Sequence, residues 1–308
     1  PAPPPAPPHA CGAGAREVIV AVSQMANSDV REQDVGRAIA LVRQAAEYGA
    51  NVVLLQELFQ GYYWPQEQEG KHFDRAEEAD GSELLQTFSD LAKELEVVLP
   101  ISFFEKSGSA FFNSVAMIDA DGEILEGIYR KTHIPDGPGY QEKFYFNPGD
   151  TGFKVWDTQY GKIGVGICWD QWFPEAARSM ALMGAELLLY PTAIGTEPQD
   201  PSLDSSGHWQ RVMQGHAGAN MVPVAASNRV GREAWPKSYP PSSITFYGNS
   251  FITDHTGDIA MKMNSTQEGF ALACLDLKSM ELERRSWGLF RDRRPEHYQT
   301  LLTLDGKV

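Results

Sequence analysis

The chain has 308 residues, of which 42% are hydrophobic and 11% aromatic, and its formal net charge is −15. This content can fill the core of one large α/β domain or two small domains. The acidic balance makes nucleic-acid phosphates poor partners and favours small cationic ligands. No apolar run is long enough to span a membrane, and the first residues lack a secretory signal, so we expect a cytoplasmic protein with no membrane partner.

The composition divides the chain into a short lead and one long folded unit. Residues 1–15 are almost entirely Pro, Ala and Gly and are predicted to be disordered. No Pro/Gly-rich linker interrupts the remainder, so residues 16–308 are predicted to form a single domain. The three cysteines, Cys11, Cys168 and Cys274, are an odd number without metal-ligand spacing, which argues against a zinc site and a disulfide framework.

Strand and helix patterns alternate along both halves of the chain. In the first half, strands are predicted at 18–22, 51–55, 97–104, 111–118 and 123–129, with helices at 34–48 and 81–96. The second half repeats this plan, with strands at 162–167, 186–190 and 222–227 and helices at 174–183 and 207–220. We therefore predict an α/β fold, a four-layer α-β-β-α sandwich built from two pseudo-repeated halves.

One stretch of the second half places a cysteine at a strand-to-helix corner. Between residues 161 and 167, glycines alternate with branched apolar residues, a pattern typical of a closely packed buried strand that ends at Cys168. Pro174 then suits the first turn of the following helix. Such a corner is a good position for a nucleophile, although a free cysteine in a core is more commonly structural.

Two charged residues could activate this thiol. Glu57 follows the strand at 51–55 directly, at the sheet edge where open α/β folds bind ligands. Lys131 leaves the strand at 123–129 and enters a turn-rich connection that ends in aromatic residues. Taken singly, a solvated strand end and a surface lysine are common alternatives. Together with Cys168, however, they supply the base and the cation that attack on a carbonyl requires.

The segments around these residues resemble the nitrilase, or carbon-nitrogen hydrolase, superfamily from about residue 17 to the C-terminus. The three motifs are Leu54-Leu-Gln-Glu57, Tyr129-Arg-Lys131-Thr-His-Ile-Pro and Gly164-Val-Gly-Ile-Cys168-Trp-Asp. The resemblance implies a Glu-Lys-Cys triad with no metal or organic cofactor. It also implies a homo-oligomer, to whose interface residues 282–298 contribute.

The triad assigns each residue a role. Because a thiol of pKa about 8.5 is mostly protonated at neutral pH, Glu57 is expected to act as base for Cys168. Lys131 and the backbone N–H of Trp169 are expected to stabilise the negative oxygen of the tetrahedral intermediate. The resemblance places Glu142 beside the triad, where it would orient groups or relay protons. An exposed loop carboxylate is the alternative for Glu142.

A Cys-His pair that uses His133 is a competing arrangement. Cys168 ends a Gly-rich strand, whereas a papain-like cysteine would begin a helix with its own local signature, which is missing here. We therefore expect His133 to order the loop that carries Lys131.

Within the family, the segments 61–64, 136–146, 194–200 and 208–220 most resemble members that act on a carbamoylated diamine. This likeness implies hydrolysis of N-carbamoylputrescine to putrescine, carbon dioxide and ammonia. A protonated amine is best held by carboxylates and aromatic faces. The predicted substrate-binding residues are Tyr63, Asp136, Trp169 and Glu197.

Other functions remain open on the sequence alone. A β-ureidopropionase-like enzyme that acts on carbamoyl amino acids would need arginines to bind the carboxylate, and Arg211 and Arg229 are available. A true nitrilase is a further alternative. A catalytically inactive scaffold that keeps the fold is the alternative from outside enzymology, and the complete triad disfavours it.

Overall fold

The computed structural model describes residues 16–235 and 242–307. The predicted disordered lead at 1–15 lies outside these residues. The strands are β1 Glu17–Gln24, β2 Val52–Leu54, β3 Leu99–Ser107, β4 Ala110–Ile118, β5 Tyr129–Arg130, β6 Val155–Thr158, β7 Gly161–Val165, β8 Leu187–Pro191, β9 Val224–Ser227, β10 Val230–Trp235, β11 Ser242–Tyr247, β12 Phe251–Thr253, β13 Ile259–Lys262 and β14 Gly269–Asp276. The helices are α1 Arg31–Glu47, α2 Glu83–Leu95, α3 Pro174–Leu182, α4 Ser206–Asn220 and α5 Leu277–Trp287.

The strands form two large sheets and one separate hairpin. The first sheet has the order β14-β1-β2 and continues into β3-β4-β5, since the N–H of Val53 donates to the carbonyl of Val98 at 3.0 Å. The second has the order β13-β12-β9-β8-β7-β6, with β7, β8 and β9 parallel. Strands β10 and β11 pair with each other. Because parallel strands end at one edge, β7 and β8 deliver their following residues to the same place.

The two sheets pack face to face between helices, so the predicted α-β-β-α sandwich is confirmed. Buried apolar side chains from both sheets, Val20 and Leu54 on one and Val165 and Leu189 on the other, belong to one core cluster. Helices α1 and α2 bury their apolar faces on the first sheet, and α3 and α4 bury theirs on the second. No helix among the described residues has the length and apolarity needed to cross a bilayer.

The structure differs from the prediction at several places. The strand predicted at 123–129 is reduced to β5, preceded by Gly127 at φ 90°. Strand β14 and helix α5 were not predicted, although β14 pairs with β1 over its whole length. Cys274 on β14 is disulfide-bonded, which the sequence analysis did not anticipate, whereas Cys168 is a free thiol.

Close packing fixes the strand that leads to Cys168. A Cβ atom on Gly166 would lie 2.7 Å from Cε1 of Tyr190, and one on Gly164 would lie 3.0 Å from Cδ2 of Leu188. Larger side chains at these positions would push β7 away from β8. The glycines therefore let the end of β7 approach its neighbour, as the Gly-rich pattern predicted.

Candidate active site

Cys168 begins a tight turn at the end of β7. It is the first residue of a 3-10 helix over Cys168–Trp172, and its backbone has φ 40°, a left-handed conformation that a side chain rarely adopts. Such a conformation persists where the surroundings hold it in place. The thiol is 6% exposed and donates to the carbonyl of Ala193 at 3.7 Å.

A buried ammonium group lies between two buried carboxylates. Nζ of Lys131 donates to Oε1 of Glu57 at 2.8 Å and to Oε2 of Glu142 at 2.7 Å, and all three side chains are fully buried. Asn113 donates to the same Glu57 oxygen at 2.7 Å, and the hydroxyl of Tyr63 donates to Oε1 of Glu142 at 2.5 Å. Oε2 of Glu57 has no hydrogen-bond partner among the described residues. This oxygen is available to receive a proton.

Local backbone contacts position these groups. The N–H of Lys131 donates to the carbonyl of Asn113, and its carbonyl accepts from the N–H of Gly149, each at 2.8 Å. A Cβ on Gly149 would lie 2.0 Å from the carbonyl oxygen of Arg130, so only glycine allows this approach. The N–H of Glu57 donates to the carbonyl of Thr192 at 3.4 Å, which joins the Glu57 segment to the end of β8.

Arg229 supports the loop that carries Glu57. Its fully buried guanidinium donates to the carbonyls of Glu57 at 3.1 Å, Leu58 at 2.6 Å and Gly61 at 2.8 Å. It also donates to a carboxylate oxygen of Glu233 at 2.9 Å. The charge of Arg229 is thereby compensated inside the protein.

The cavity above Cys168 has a volume of about 430 Å³. Its described lining residues include Glu142, Cys168, Trp169, Gln171, Trp172, Asp136, Glu197 and His208, and neither lysine nor arginine is among them. Trp169 is 41% exposed, Asp136 is also exposed and Glu197 is half-buried. The charged groups at the solvent-facing part of this cavity are therefore carboxylates.

The structure brings together most of the residues predicted for the site. Glu57, Lys131, Glu142 and Cys168 form one buried cluster, and Glu142 is not the exposed loop carboxylate that was its alternative. Asp136, Trp169 and Glu197 line the cavity. Tyr63 differs, because it is not among the described lining residues and its hydroxyl is bonded to Glu142.

His133 is engaged away from the thiol. Its Nδ1 lies 2.7 Å from Oδ1 of Asp170, and its ring stacks on Phe173 at 3.6 Å between centroids. Two arginines were considered for binding the carboxylate of a carbamoyl amino acid. Arg229 supports the Glu57 loop, and Arg211 is exposed and absent from the described lining of the cavity. No group of three or more His, Cys, Asp or Glu within residues 16–235 and 242–307 could hold a metal ion.

Asn113, Arg229 and Asp170 are supporting residues whose roles the sequence analysis missed. Asn113, with Ser114 beside it, interrupts the apolar pattern of β4, a signal that could have been read. Nothing local to Arg229 points to Glu57, since 172 positions separate them.

Burial and the two carboxylates set the protonation of the site. Burial raises the pKa of the Cys168 thiol well above its ordinary value, Glu57 raises it further, and Lys131 opposes both. Burial disfavours the charge of Lys131, but Glu142 and Glu57 outweigh it and raise the pKa of Lys131. Burial also raises the pKa of Glu142, to about 7, against the influence of Lys131. The thiol is therefore protonated at neutral pH and needs a base at the moment of attack.

Comparison with known proteins identifies the class of enzyme. The family model for carbon-nitrogen hydrolases matches residues 19–285. The chain belongs to this family.

Individual relatives are similar over nearly the whole chain. An N-carbamoylputrescine amidase of Oryza sativa subsp. japonica is 58% identical over 296 residues, 96% of this chain and 98% of the relative. A citrullinase of Francisella tularensis is 53% identical over 283 residues, 92% of this chain and 97% of the relative. The crystal structure of a carbon-nitrogen hydrolase from Helicobacter pylori, 41% identical, superimposes with a TM-score of 0.88 over 94% of this chain and 99% of that chain.

The electrostatic description predicts the effect of Glu142→Gln on the thiol. The charge of Glu142 opposes thiolate formation at Cys168, so its removal should lower the pKa of the thiol. At a fixed pH near 8, alkylation of Cys168 by iodoacetamide should then be faster, by about threefold for each unit by which the pKa falls, because the gain in thiolate is partly offset by its lower nucleophilicity. The measurement is the pH dependence of alkylation, followed by peptide mass spectrometry with Cys168→Ser as the unlabelled control. Slower or unchanged alkylation of the variant would contradict the description.

Proposed function

We propose that this protein hydrolyses N-carbamoylputrescine to putrescine, carbon dioxide and ammonia, with Cys168 as the nucleophile. The observation that carries the proposal is the cavity, which is lined at the reacting end by Cys168 and by Glu142 of the buried cluster, and at the solvent-facing part by carboxylates and indole rings. The 58% identity to N-carbamoylputrescine amidases supports the same substrate.

In the first step, the sulfur of Cys168 attacks the ureido carbon while Oε2 of Glu57 takes the thiol proton. Two of the three Nζ–H donors of Lys131 are bonded to carboxylates, which leaves the third to stabilise the oxygen that becomes negative. The bond from carbon to the terminal nitrogen then breaks, and Glu57 returns the proton to the departing ammonia. An N-alkylcarbamoyl thioester remains on Cys168.

In the second step, water attacks the thioester carbon while Glu57 accepts one of its protons. The carbon-sulfur bond breaks and the proton returns to the thiolate of Cys168. The released carbamic acid decomposes to putrescine and carbon dioxide, so the atoms balance without a metal or an organic cofactor.

Recognition of the diamine is assigned to the solvent-facing carboxylates. Glu197 is half-buried, and burial raises its pKa above the ordinary value. A partly desolvated carboxylate pairs strongly with an ammonium group, and the indole of Trp169 can face the same cation. A carbamoyl amino acid would bring a carboxylate into this acidic region, where no lysine or arginine of the described lining could pair with it.

The proposal predicts a substrate order. Ammonia release should be faster with N-carbamoylputrescine than with L-citrulline, N-carbamoyl-β-alanine or a simple nitrile, because only the first presents a cation without an accompanying carboxylate. Cys168→Ser should release none above background. Preference for L-citrulline or the carbamoyl amino acid would contradict the substrate assignment. Equal rates for wild type and Cys168→Ser with every compound would support the alternative of a catalytically inactive scaffold.

Glu197→Gln should separate charge recognition from chemistry. KM for N-carbamoylputrescine should rise by roughly tenfold or more, as expected for a lost charge-assisted hydrogen bond, whereas KM for neutral butylurea should stay the same. In the wild type, lowering the pH through the raised pKa of Glu197 neutralises the carboxylate, so KM for the cation should rise there and KM for butylurea should not. Asp200→Asn, in the same loop but absent from the described lining, is the matched control. Equal changes for both substrates would show that Glu197 does not bind the amine.

We also propose that the protein is a homo-oligomer. A groove of about 870 Å³ runs between α3, α4 and the segment 293–302, and its lining is mostly apolar. Leu302 is 80% exposed there, and Trp287 in the predicted interface region is 70% exposed. Large exposed apolar groups are typical of protein interfaces, and a second copy of the chain would cover them.

The double variant Trp287→Asp/Leu302→Asp should lower the molar mass measured by light scattering after size exclusion. Ile124→Asp changes an apolar residue of 40% exposure outside this region and should leave the mass unchanged. A monomeric wild type, or a double variant with wild-type mass, would contradict the proposal.

A further inference from the structure

Asp170 is a fully buried carboxylate for which the proposed reaction has no role. Its Oδ2 accepts from the N–H of Ile167 at 2.9 Å and from the hydroxyl of Tyr129 at 2.6 Å. Its Oδ1 accepts from the N–H of His133 at 3.0 Å and lies 2.7 Å from Nδ1 of the same residue. A single carboxylate thus satisfies groups from two separate segments of the chain.

These contacts join the two segments that carry the reacting groups. Ile167 immediately precedes Cys168 in the sequence, and Tyr129 and His133 stand two positions before and after Lys131. Asp170 itself belongs to the turn that begins at Cys168. The two halves of the sandwich supply Lys131 and Cys168 separately, so contacts between the halves must set the distance between these residues. Asp170 makes such a contact, because it accepts from the backbone N–H of Ile167 and from that of His133.

We propose that Asp170 is a positioning residue that holds Cys168 and Lys131 in register, an inference that rests on the proposed function. Asp170 is fully buried and both of its oxygens accept from groups of the protein, so it acts through its neighbours and not on the substrate. It also helps to hold the left-handed backbone of Cys168, because its bond to the N–H of Ile167 closes the turn from the strand side.

The chemistry of the site requires a carboxylate at this position. Each oxygen of Asp170 accepts from one backbone N–H, that of Ile167 or that of His133, and neither donor can rotate away. An asparagine of the same shape would place its NH₂ group against one of these two N–H donors in either orientation. Asp170→Asn therefore breaks one of the two links while it keeps the volume of the side chain.

The test compares Asp170→Asn with Asp119→Asn. The carboxylate of Asp119 also accepts from two backbone N–H groups, those of Ala120 at 2.8 Å and Gln159 at 3.0 Å, but it lies at the turn after β4.

For each variant we would measure the melting temperature, kcat and KM with N-carbamoylputrescine, and the pH dependence of Cys168 alkylation. Asp170→Asn should lower kcat by roughly 100-fold, the usual result of a small misplacement of reacting groups, with KM within about threefold and a shifted alkylation profile. Asp119→Asn should leave kcat, KM and the alkylation profile unchanged, whatever its melting temperature.

Two outcomes would overturn the proposal: a folded Asp170→Asn with wild-type kcat and alkylation profile, or one in which KM alone rises. If Asp170→Asn does not fold, Tyr129→Phe takes its place, because it removes one donor and keeps the carboxylate. This variant should lower kcat by about fivefold with KM unchanged, and an unchanged kcat would likewise overturn the proposal. If the wild type hydrolyses no ureido compound, the proposed function fails, and the alkylation profiles still decide whether Asp170 positions the thiol.

Discussion

The ammonium group of Lys131, enclosed by the carboxylates of Glu57 and Glu142, is the interaction on which the rest of the site depends. A buried charge without partners is strongly unfavourable, and here one cation faces two anions, so the cluster carries an excess negative charge. Burial, together with that excess, explains why Cys168 remains a thiol and why the pKa of Glu142 is raised. The excess also explains why Asn113 and Tyr63 donate to the carboxylates. The site therefore holds the carboxylate of Glu57 as a base beside the neutral thiol of Cys168, and not an ion pair that already contains a thiolate.

The sandwich makes this site possible because its two halves supply different reacting groups. Glu57 and Lys131 follow strands of the first sheet, and Cys168 follows β7 of the second. The contact from Glu57 to Thr192 and the bonds of Asp170 connect the halves where the reacting groups meet. Packing between the sheets therefore controls the geometry of the site as well as the stability of the fold.

The sequence predicted the layers and the central cluster because both leave local signals. Apolar patterns mark many of the buried strands, and Glu57, Lys131 and Cys168 each follow a strand closely, within motifs of the family. Strand β14 also carries a continuous apolar run, at 270–275, which the sequence analysis did not use, and only its pairing with the distant β1 has no local signal. The roles of Tyr63 and Arg229 could not be predicted, since both depend on partners distant in sequence: Glu142 for Tyr63, and the carbonyls of the Glu57 loop for Arg229.

The most direct test of this account is to trap the covalent intermediate and identify its atoms. N-carbamoylputrescine labelled with ¹⁵N at the terminal ureido nitrogen would be mixed with the wild-type protein, quenched in acid within a single turnover and digested, and the peptide that contains Cys168 would be examined by mass spectrometry. We expect an adduct on Cys168 that keeps the diamine and has lost the labelled nitrogen. An adduct on another residue, or one that keeps the label and has lost the diamine, would contradict the account.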